Sequence, residues 1–194
     1  KAKARVDAAF HAALALDGPK YDAEESTRDL FAEVPVLPES ESGSSREMRL
    51  IDAVHDGLKE SLALWPELIY MGQDIGPYGG VFKATEGLAE LFGSNRVRNT
   101  PLCESAIVGA SLGWSIAGGK AMMEMQFSDF VTTGFNQIVN NLAKLHWRGG
   151  QSVDVVIRMP TGAGVAAGPF HSQSTEAWFT HVPGLKVVYP AFPA

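Results

Sequence analysis

Glu104 stands at the head of the run SAIVGASLGWSIAGG, in which no side chain from Ala106 to Gly119 ionises. A helix this apolar is expected to be buried, so the carboxylate at its first turn has two readings. One is a plain charge favoured by the positive end of the helix dipole. The other is a placed acid. Gly109, Ala110, Ser111, Gly113, Ala117 and Gly118 let another helix approach closely, and a carboxyl at a buried interface has a raised pKa unless it is paired and can exchange a proton. His171, in GPFHSQS, lies in a stretch without apolar periodicity. It reads either as an ordinary surface histidine or as a proton carrier that works near neutral pH. Cys103 adjoins Glu104 at a helix start, where a thiolate is stabilised, and His171 would be its base. Beside Leu102 it reads more readily as a small buried hydrophobe.

Other chemistries fit less well. His11, His55, His146, His171 and His181 form no metal-ligand cluster along the chain, so no metal site is expected from them. GAGVAAG, after VDVVIRMP, matches the dinucleotide fingerprint only with Ala167 in the third place. Gly168-Pro169 breaks the helix that fingerprint needs, and Lys186 and Val187 stand about twenty positions on, where it needs an acid. GPYGGVFKAT has no glycine directly before Lys83, as a P-loop requires.

The elements that must position these residues follow from apolar spacing. MRLIDAVHDGLKESLALW, ATEGLAELFG, SAIVGASLGWSIAGG, FVTTGFNQIVNNLAKLHWRGG and STEAWFTHV read as helices; ELIYMG, RVRNTP, KAMMEMQF, VDVVIRMP and GLKVVYP read as strands, the last two of them buried. Short apolar strands alternating with helices predict an α/β fold, a parallel sheet with helices on both faces. Ligands of such sheets sit beyond the carboxyl ends of the strands. That marks four loops: GQDIGPYGGVF, NTPLCE, QFSDF and TGAGVAAGPFHSQS. Before the sheet, KAKARVDAAFHAALAL carries Val6, Phe10, Ala13 and Leu14 on one helical face, and DAEESTRDLFAEV reads as a short acidic helix. PVLPESESGSSRE has the composition of a linker. The boundaries are thus a helical segment at 1–33, a linker at 34–46 and an α/β domain at 47–194.

The net charge of −6 argues against a nucleic-acid surface, and no polybasic membrane patch is present. The longest uncharged stretch is glycine-rich and ends at Lys120, which argues against a membrane span. One cysteine among 194 residues fits a reducing compartment, and KAKARVDAAF lacks the apolar core of a signal peptide. Both ends read as cut from a longer chain.

NTPLCESAIVG, EMQFSDFVTTGFNQIVNNLAK and FHSQSTEAWFTHVPGLKVVYP, in that order, resemble the beta subunit of the thiamine-dependent 2-oxo acid dehydrogenases, the E1 component. The resemblance runs from about residue 46 to the last residue and is nearest the branched-chain enzymes, with pyruvate-specific relatives sharing the frame. Residues 1–33 resemble the tail of the partner alpha subunit, which implies a fused single-chain E1 with this sequence as its middle. The resemblance implies a transketolase-like pyrimidine-binding domain, without the carboxyl-terminal beta domain. It also implies oxidative decarboxylation of a 2-oxo acid, with acyl transfer to the lipoyl group of E2. The implied cofactors are thiamine pyrophosphate and Mg2+, the metal held by the alpha part, with K+ compatible. The implied partners are the E1 alpha part and the lipoyl domain of E2, in a homodimer of fused chains or an alpha2beta2 assembly; the implied setting is a bacterial cytoplasm.

By motif, Glu104 would bind N1′ of the aminopyrimidine and favour its imino tautomer. The Leu102 carbonyl would accept from its amino group, Phe130 would stack on its ring, and Gln126 would line the pocket. His171 would move protons during acyl transfer. Without the resemblance Phe130 reads as core packing. Transketolase, deoxyxylulose-phosphate synthase and a non-catalytic assembly module are the competing readings.

Overall fold

The computed structural model describes residues 1–28, 30–33 and 46–192. The expected linker, apart from residue 46, lies outside the described residues. Helix α1 (Ala2–Leu14) and helix α2 (Ala23–Arg28) come first. Every residue of α1 is exposed, so the stripe of Val6, Phe10 and Leu14 packs on nothing among the described residues.

Helix α3 (Leu50–Leu64) opens the sheet domain. Its first turn is tied by Arg49, which donates to the two oxygens of Asp52 at 2.8 and 2.6 Å. It ends where Pro66 drives the preceding Trp65 into an extended conformation. Leu58 and Leu62, one turn apart, are its buried contacts. There follow β1 (Leu68–Gly72), α4 (Leu88–Phe92), β2 (Val97–Asn99), α5 (Glu104–Ile116), β3 (Lys120–Glu124), α6 (Val131–Asn136), α7 (Leu145–Gly149), β4 (Val155–Arg158) and α8 (Ala177–Thr180).

The four strands form one parallel sheet in the order β2-β1-β3-β4. Its register places Asn99, Gly72, Glu124 and Arg158 in a single row, so the strands end flush and their loops leave from one edge. Alternation along the strands splits the core into two layers. Leu68, Tyr70, Ile75, Leu88 and Val97 pack with Leu58 and Leu62 on one face. Met71, Ala121, Met123 and Met125 pack with Ile107, Val108, Val131 and Ile138 on the other. The expected parallel α/β architecture, with helices on both faces, is thus present.

Four local readings differ from expectation. VDVVIRMP forms β4, but as the edge strand of the sheet with no buried residue, and its Val156 is 51% exposed. GLKVVYP is not a buried strand: residues 185–190 carry no strand, and Val187, Val188 and Tyr189 are 39%, 81% and 56% exposed. The segment shares a groove with Val155 and Ile157 of the edge strand β4, yet only Leu185 packs on the core. With no layer on its far side among the described residues, the remaining apolar side chains have nothing there to bury against. The long helix expected from Phe130 onward is broken. Between α6 and α7 the chain makes a π-helical stretch, Gln137–Leu142, after which Ala143 N–H donates to the Ile138 carbonyl at 2.9 Å, five residues back. Finally, α5 is only half buried. Ile107, Val108, Ser111, Leu112 and Ser115 face the sheet, while Ala106, Ala110, Gly113 and Ala117 are exposed.

One buried polar group ties the sheet at its functional edge. Glu124, 3% exposed, accepts from the Tyr70 hydroxyl of β1 and from Arg158 Nη1 of β4, the latter at 2.5 Å. Burial, and then the adjacent Glu124 charge, push the Tyr70 hydroxyl well above the ordinary tyrosine value of 10.0. Replacing Arg158 by Ala strands a buried carboxylate and is expected to cost about 3–5 kcal/mol in urea unfolding. Tyr70 stays protonated in the fold after the unfolded chain begins to ionise it near 10.0. Its contribution is therefore complete below that pH and is lost as pH rises above it. Tyr70→Phe is expected to remove this alkaline limb from a stability–pH profile.

Candidate functional site

The flush strand ends bring the four marked loops together. After β1, Asp74 adopts a left-handed φ of 58°, which Asp tolerates better than most residues. Its carboxylate accepts from Gln126 Nε2, beyond β3, at 2.7 Å. The same loop is closed on itself by the Thr85 hydroxyl, which donates to the Ile75 carbonyl at 2.9 Å. After β2, Thr100 N–H donates to the Gly72 carbonyl at 2.9 Å and holds NTPLCE against the end of β1. The Leu102 side chain is 78% exposed, and its carbonyl accepts no hydrogen bond from the described residues.

Glu104 opens α5, half-buried, with its carboxylate in no hydrogen bond or ion pair among the described residues. Its main chain lies against Gly134 of α6. A Cβ there would meet Val108 Cγ2 at 3.2 Å and the Glu104 carbonyl carbon at 3.6 Å. The glycine therefore lets α6 sit on the first turn of α5. These residues alone do not give Glu104 the dry surroundings expected of it, because the outer face of α5 is open.

After β3 the chain runs through Gln126 and Phe127 into a tight turn, Ser128–Phe130, that leads directly into α6. Asp129 is buried here, and one of its oxygens accepts from Gln173 N–H at 3.1 Å and from Gln173 Nε2 at 2.9 Å. The Ser128 and Thr161 hydroxyls both donate to the Gln173 carbonyl, at 3.0 and 2.8 Å. This clamp fixes the loop after β4 two residues beyond His171. The His171 ring lies edge-to-face with Phe127 and Phe130, at centroid distances of 5.0 and 5.3 Å. Phe127 also contacts Phe130 at 5.8 Å and Phe82 at 5.4 Å. Rings from three loops thus form one cluster, and neither nitrogen of His171 is bonded to a described residue.

Phe130 and His171 are therefore brought together, while Gln126, next to Phe127 in the chain, turns its amide nitrogen to Asp74. Leu102 and Glu104 sit on the neighbouring loop and join them through the α5–α6 contact. Cys103 is half-buried, with Sγ directed at the Pro101 carbonyl at 3.3 Å, and makes no bond with His171. GAGVAAG forms only a short turn, Ala163–Val165, followed by left-handed residues Ala166 and Gly168, so no helix N-terminus is offered there. Among the described residues there is no group of three or more His, Cys, Asp or Glu that would hold a metal ion, and no helix is long and apolar enough to cross a membrane. Sequence reasoning missed Asp74, Phe82, Phe127 and Asp129. All four lie in loops it had marked, and the only signal was their place just beyond a strand.

An open parallel sheet with converging polar and aromatic loops at its carboxyl edge is the α/β arrangement in which ligands sit across strand ends. The chain belongs to the family of the transketolase pyrimidine binding domain, which it matches over residues 46–194. It is 45% identical to 2-oxoisovalerate dehydrogenase subunit beta 2, mitochondrial, of Arabidopsis thaliana, over 80% of this chain and 44% of that protein. It is 41% identical to the pyruvate dehydrogenase E1 component subunit beta of Leifsonia xyli, over 82% and 48%. Identity to 2-oxoisovalerate dehydrogenase subunit beta of Bacillus subtilis is 45%, over 75% and 45%. The chain spans about half the length of these curated relatives.

The Asp129 clamp carries a local prediction. Hydrogen bonds to a charged acceptor contribute about 1.5–3 kcal/mol each, so Asp129→Ala is expected to speed amide exchange across residues 168–173 by at least about tenfold. Hydrogen-exchange mass spectrometry reads this directly, with exchange in β1 as the unmoved reference.

Proposed function

We propose that this chain is the pyrimidine-binding part of the E1 component of a 2-oxo acid dehydrogenase complex, with a branched-chain 2-oxo acid favoured as substrate and pyruvate next. The observation that carries the reading is the gathering of Phe130 and His171 into one cluster beside the helix that Glu104 opens, in a chain of this family. The donors and acceptors at the edge suit an aminopyrimidine. An unpaired Leu102 carbonyl would accept from an amino group, a protonated Glu104 would donate to a ring nitrogen, and the half-exposed Phe130 ring offers an apolar face. Gln126 gives Nε2 to Asp74, which leaves its side-chain oxygen free to accept from a ligand.

Thiamine pyrophosphate, when bound, supplies the electron sink for decarboxylation of the 2-oxo acid. Glu104 would hold a proton at the ring nitrogen and so set its tautomer. Phe130 would fix the plane of the ring, and His171, with both nitrogens free, would donate and accept protons as the acyl group passes to a lipoyl arm. Mg2+ would be held by the alpha part, and K+ is compatible with the family. We also read residues 1–33 as the tail of a fused alpha part, joined by a linker at 34–46; the start of the family match at residue 46 supports this division. The partners would be that alpha part and the lipoyl domain of E2, in a homodimer of fused chains or an alpha2beta2 assembly in the bacterial cytoplasm.

The test uses the full-length protein with thiamine pyrophosphate and Mg2+, an artificial electron acceptor, and pyruvate, 2-oxoisovalerate, 2-oxoisocaproate and 2-oxoglutarate in turn. Turnover of the branched acids is expected. Preference for pyruvate would keep the mechanism and change the substrate. Sugar-phosphate transfer alone would place the protein with transketolase, and failure to bind the cofactor would leave an assembly module. Glu104→Gln is expected to lower decarboxylation by about 10²–10⁴-fold. His171→Ala is expected to depress lipoyl acylation far more than decarboxylation; equal losses would sink that division of labour.

A further inference from the structure

We infer that Phe127 is a positioning residue for His171, orienting its imidazole by edge-to-face ring contact in place of the hydrogen bond that usually orients a working histidine. This rests on the proton-transfer role proposed for His171.

The imidazole of His171 has no hydrogen-bond partner among the described residues, so nothing polar sets its rotation about the terminal torsion, which is intrinsically broad. The backbone that carries it is held locally, by His171 N–H to the Gly168 carbonyl at 3.3 Å and Ala167 N–H to the Ser172 hydroxyl at 3.2 Å, and these bonds do not reach the ring. Residues 163–170 are exposed, rich in glycine and alanine, and include two left-handed residues. The Gln173 clamp holds the chain two residues away, without touching the ring. What remains is the pair of phenylalanine rings, and Phe127 is the nearer, at 5.0 Å and an interplanar angle of 89°.

Phe127 is itself in edge-to-face contact with Phe82, at 5.4 Å and 71°, which steadies the ring that meets the imidazole. Phe130, at 5.3 Å, also meets the imidazole, but its proposed work is to stack on the cofactor. A plain core role does not account for Phe127: it is half-exposed and belongs to neither buried apolar cluster. An arrangement of this kind limits rotation of the imidazole while leaving both nitrogens free for substrate and lipoyl groups.

The experiment compares Phe127→Leu, which keeps apolar bulk without a ring, with Phe127→Tyr, which keeps the ring; His171→Ala is the reference. Each is made in the full-length protein, assembled with its partners. Two readouts are taken. The first is the kcat and KM for acylation of a lipoyl domain beside the rate of decarboxylation with an artificial acceptor. The second is NMR of the cofactor-free protein with 13C-labelled histidine, where the His171 ring signals are those lost in His171→Ala. Phe127→Leu is expected to lower the acylation kcat about tenfold more than decarboxylation, since small misplacements of a catalytic group are costly. The KM for the lipoyl domain should stay unchanged. The His171 ring signals should shift in Phe127→Leu and return in Phe127→Tyr.

Equal loss of both partial reactions, or unmoved His171 signals, would overturn the inference. If His171→Ala destroys acylation while Phe127→Leu spares it, only the role of Phe127 fails. If His171→Ala itself spares acylation, the role of His171 fails and takes this one with it. Phe127→Met gives the same readouts if Phe127→Leu does not yield folded protein.

Discussion

The shared Glu124 carboxylate is the interaction on which the working edge of this domain depends. It lies in the row where four parallel strands end, and its two donors come from the strands on either side, Tyr70 from β1 and Arg158 from β4. A buried carboxylate is tolerated only where charge and hydrogen bonds compensate the lost water. Here the compensation also sets the geometry, because it holds three neighbouring strands at one level. The fit is close: a Cβ on Gly72 would come within 3.1 Å of the Glu124 carbonyl oxygen. The loops that carry the candidate site all begin from this row.

Those loops are held in graded fashion. The loop after β1 is bonded to itself and to Gln126. The loop after β4 is held at Gln173 by buried Asp129 and by two hydroxyls, while its glycine- and alanine-rich part is held by bonds within the loop, such as Ala167 N–H to the Ser172 hydroxyl at 3.2 Å. The aromatic cluster lies between these two regimes. It ties the lightly held His171 to the firm turn at 128–130 without consuming its nitrogens. Such a division suits a residue that must meet more than one partner, since apolar ring contacts position a side chain without taking up its donors and acceptors.

The same division explains what the chain leaves open. The outer face of α5, the apolar stripe of α1 and the side chains of Val187 to Tyr189 are exposed. Glu104 sits at the end of α5, so the face beside it is uncovered as well. In the proposed assembly the alpha part or another subunit would cover these surfaces. The dry setting that acid chemistry needs would then be completed by the assembly.

The amino-acid sequence by itself determined the parallel α/β class, the strands Leu68–Gly72, Lys120–Glu124 and Val155–Arg158, and the loops that carry Glu104, Gln126, Phe130 and His171, because apolar periodicity and residue type are local properties. It misled where neighbours decide. GLKVVYP has the composition of a buried strand, yet among the described residues no layer lies beyond it to bury Val188. The apolar run of α5 reads as wholly buried, yet it has a partner on one face only. The tertiary structure alone decided the strand order, the pairing of Asp74 with Gln126 across 52 positions, the grip of Asp129 on Gln173 across 44, and the ring contact that sets His171. Those depend on which distant segments the sheet register brings to one edge, and no local pattern encodes a register.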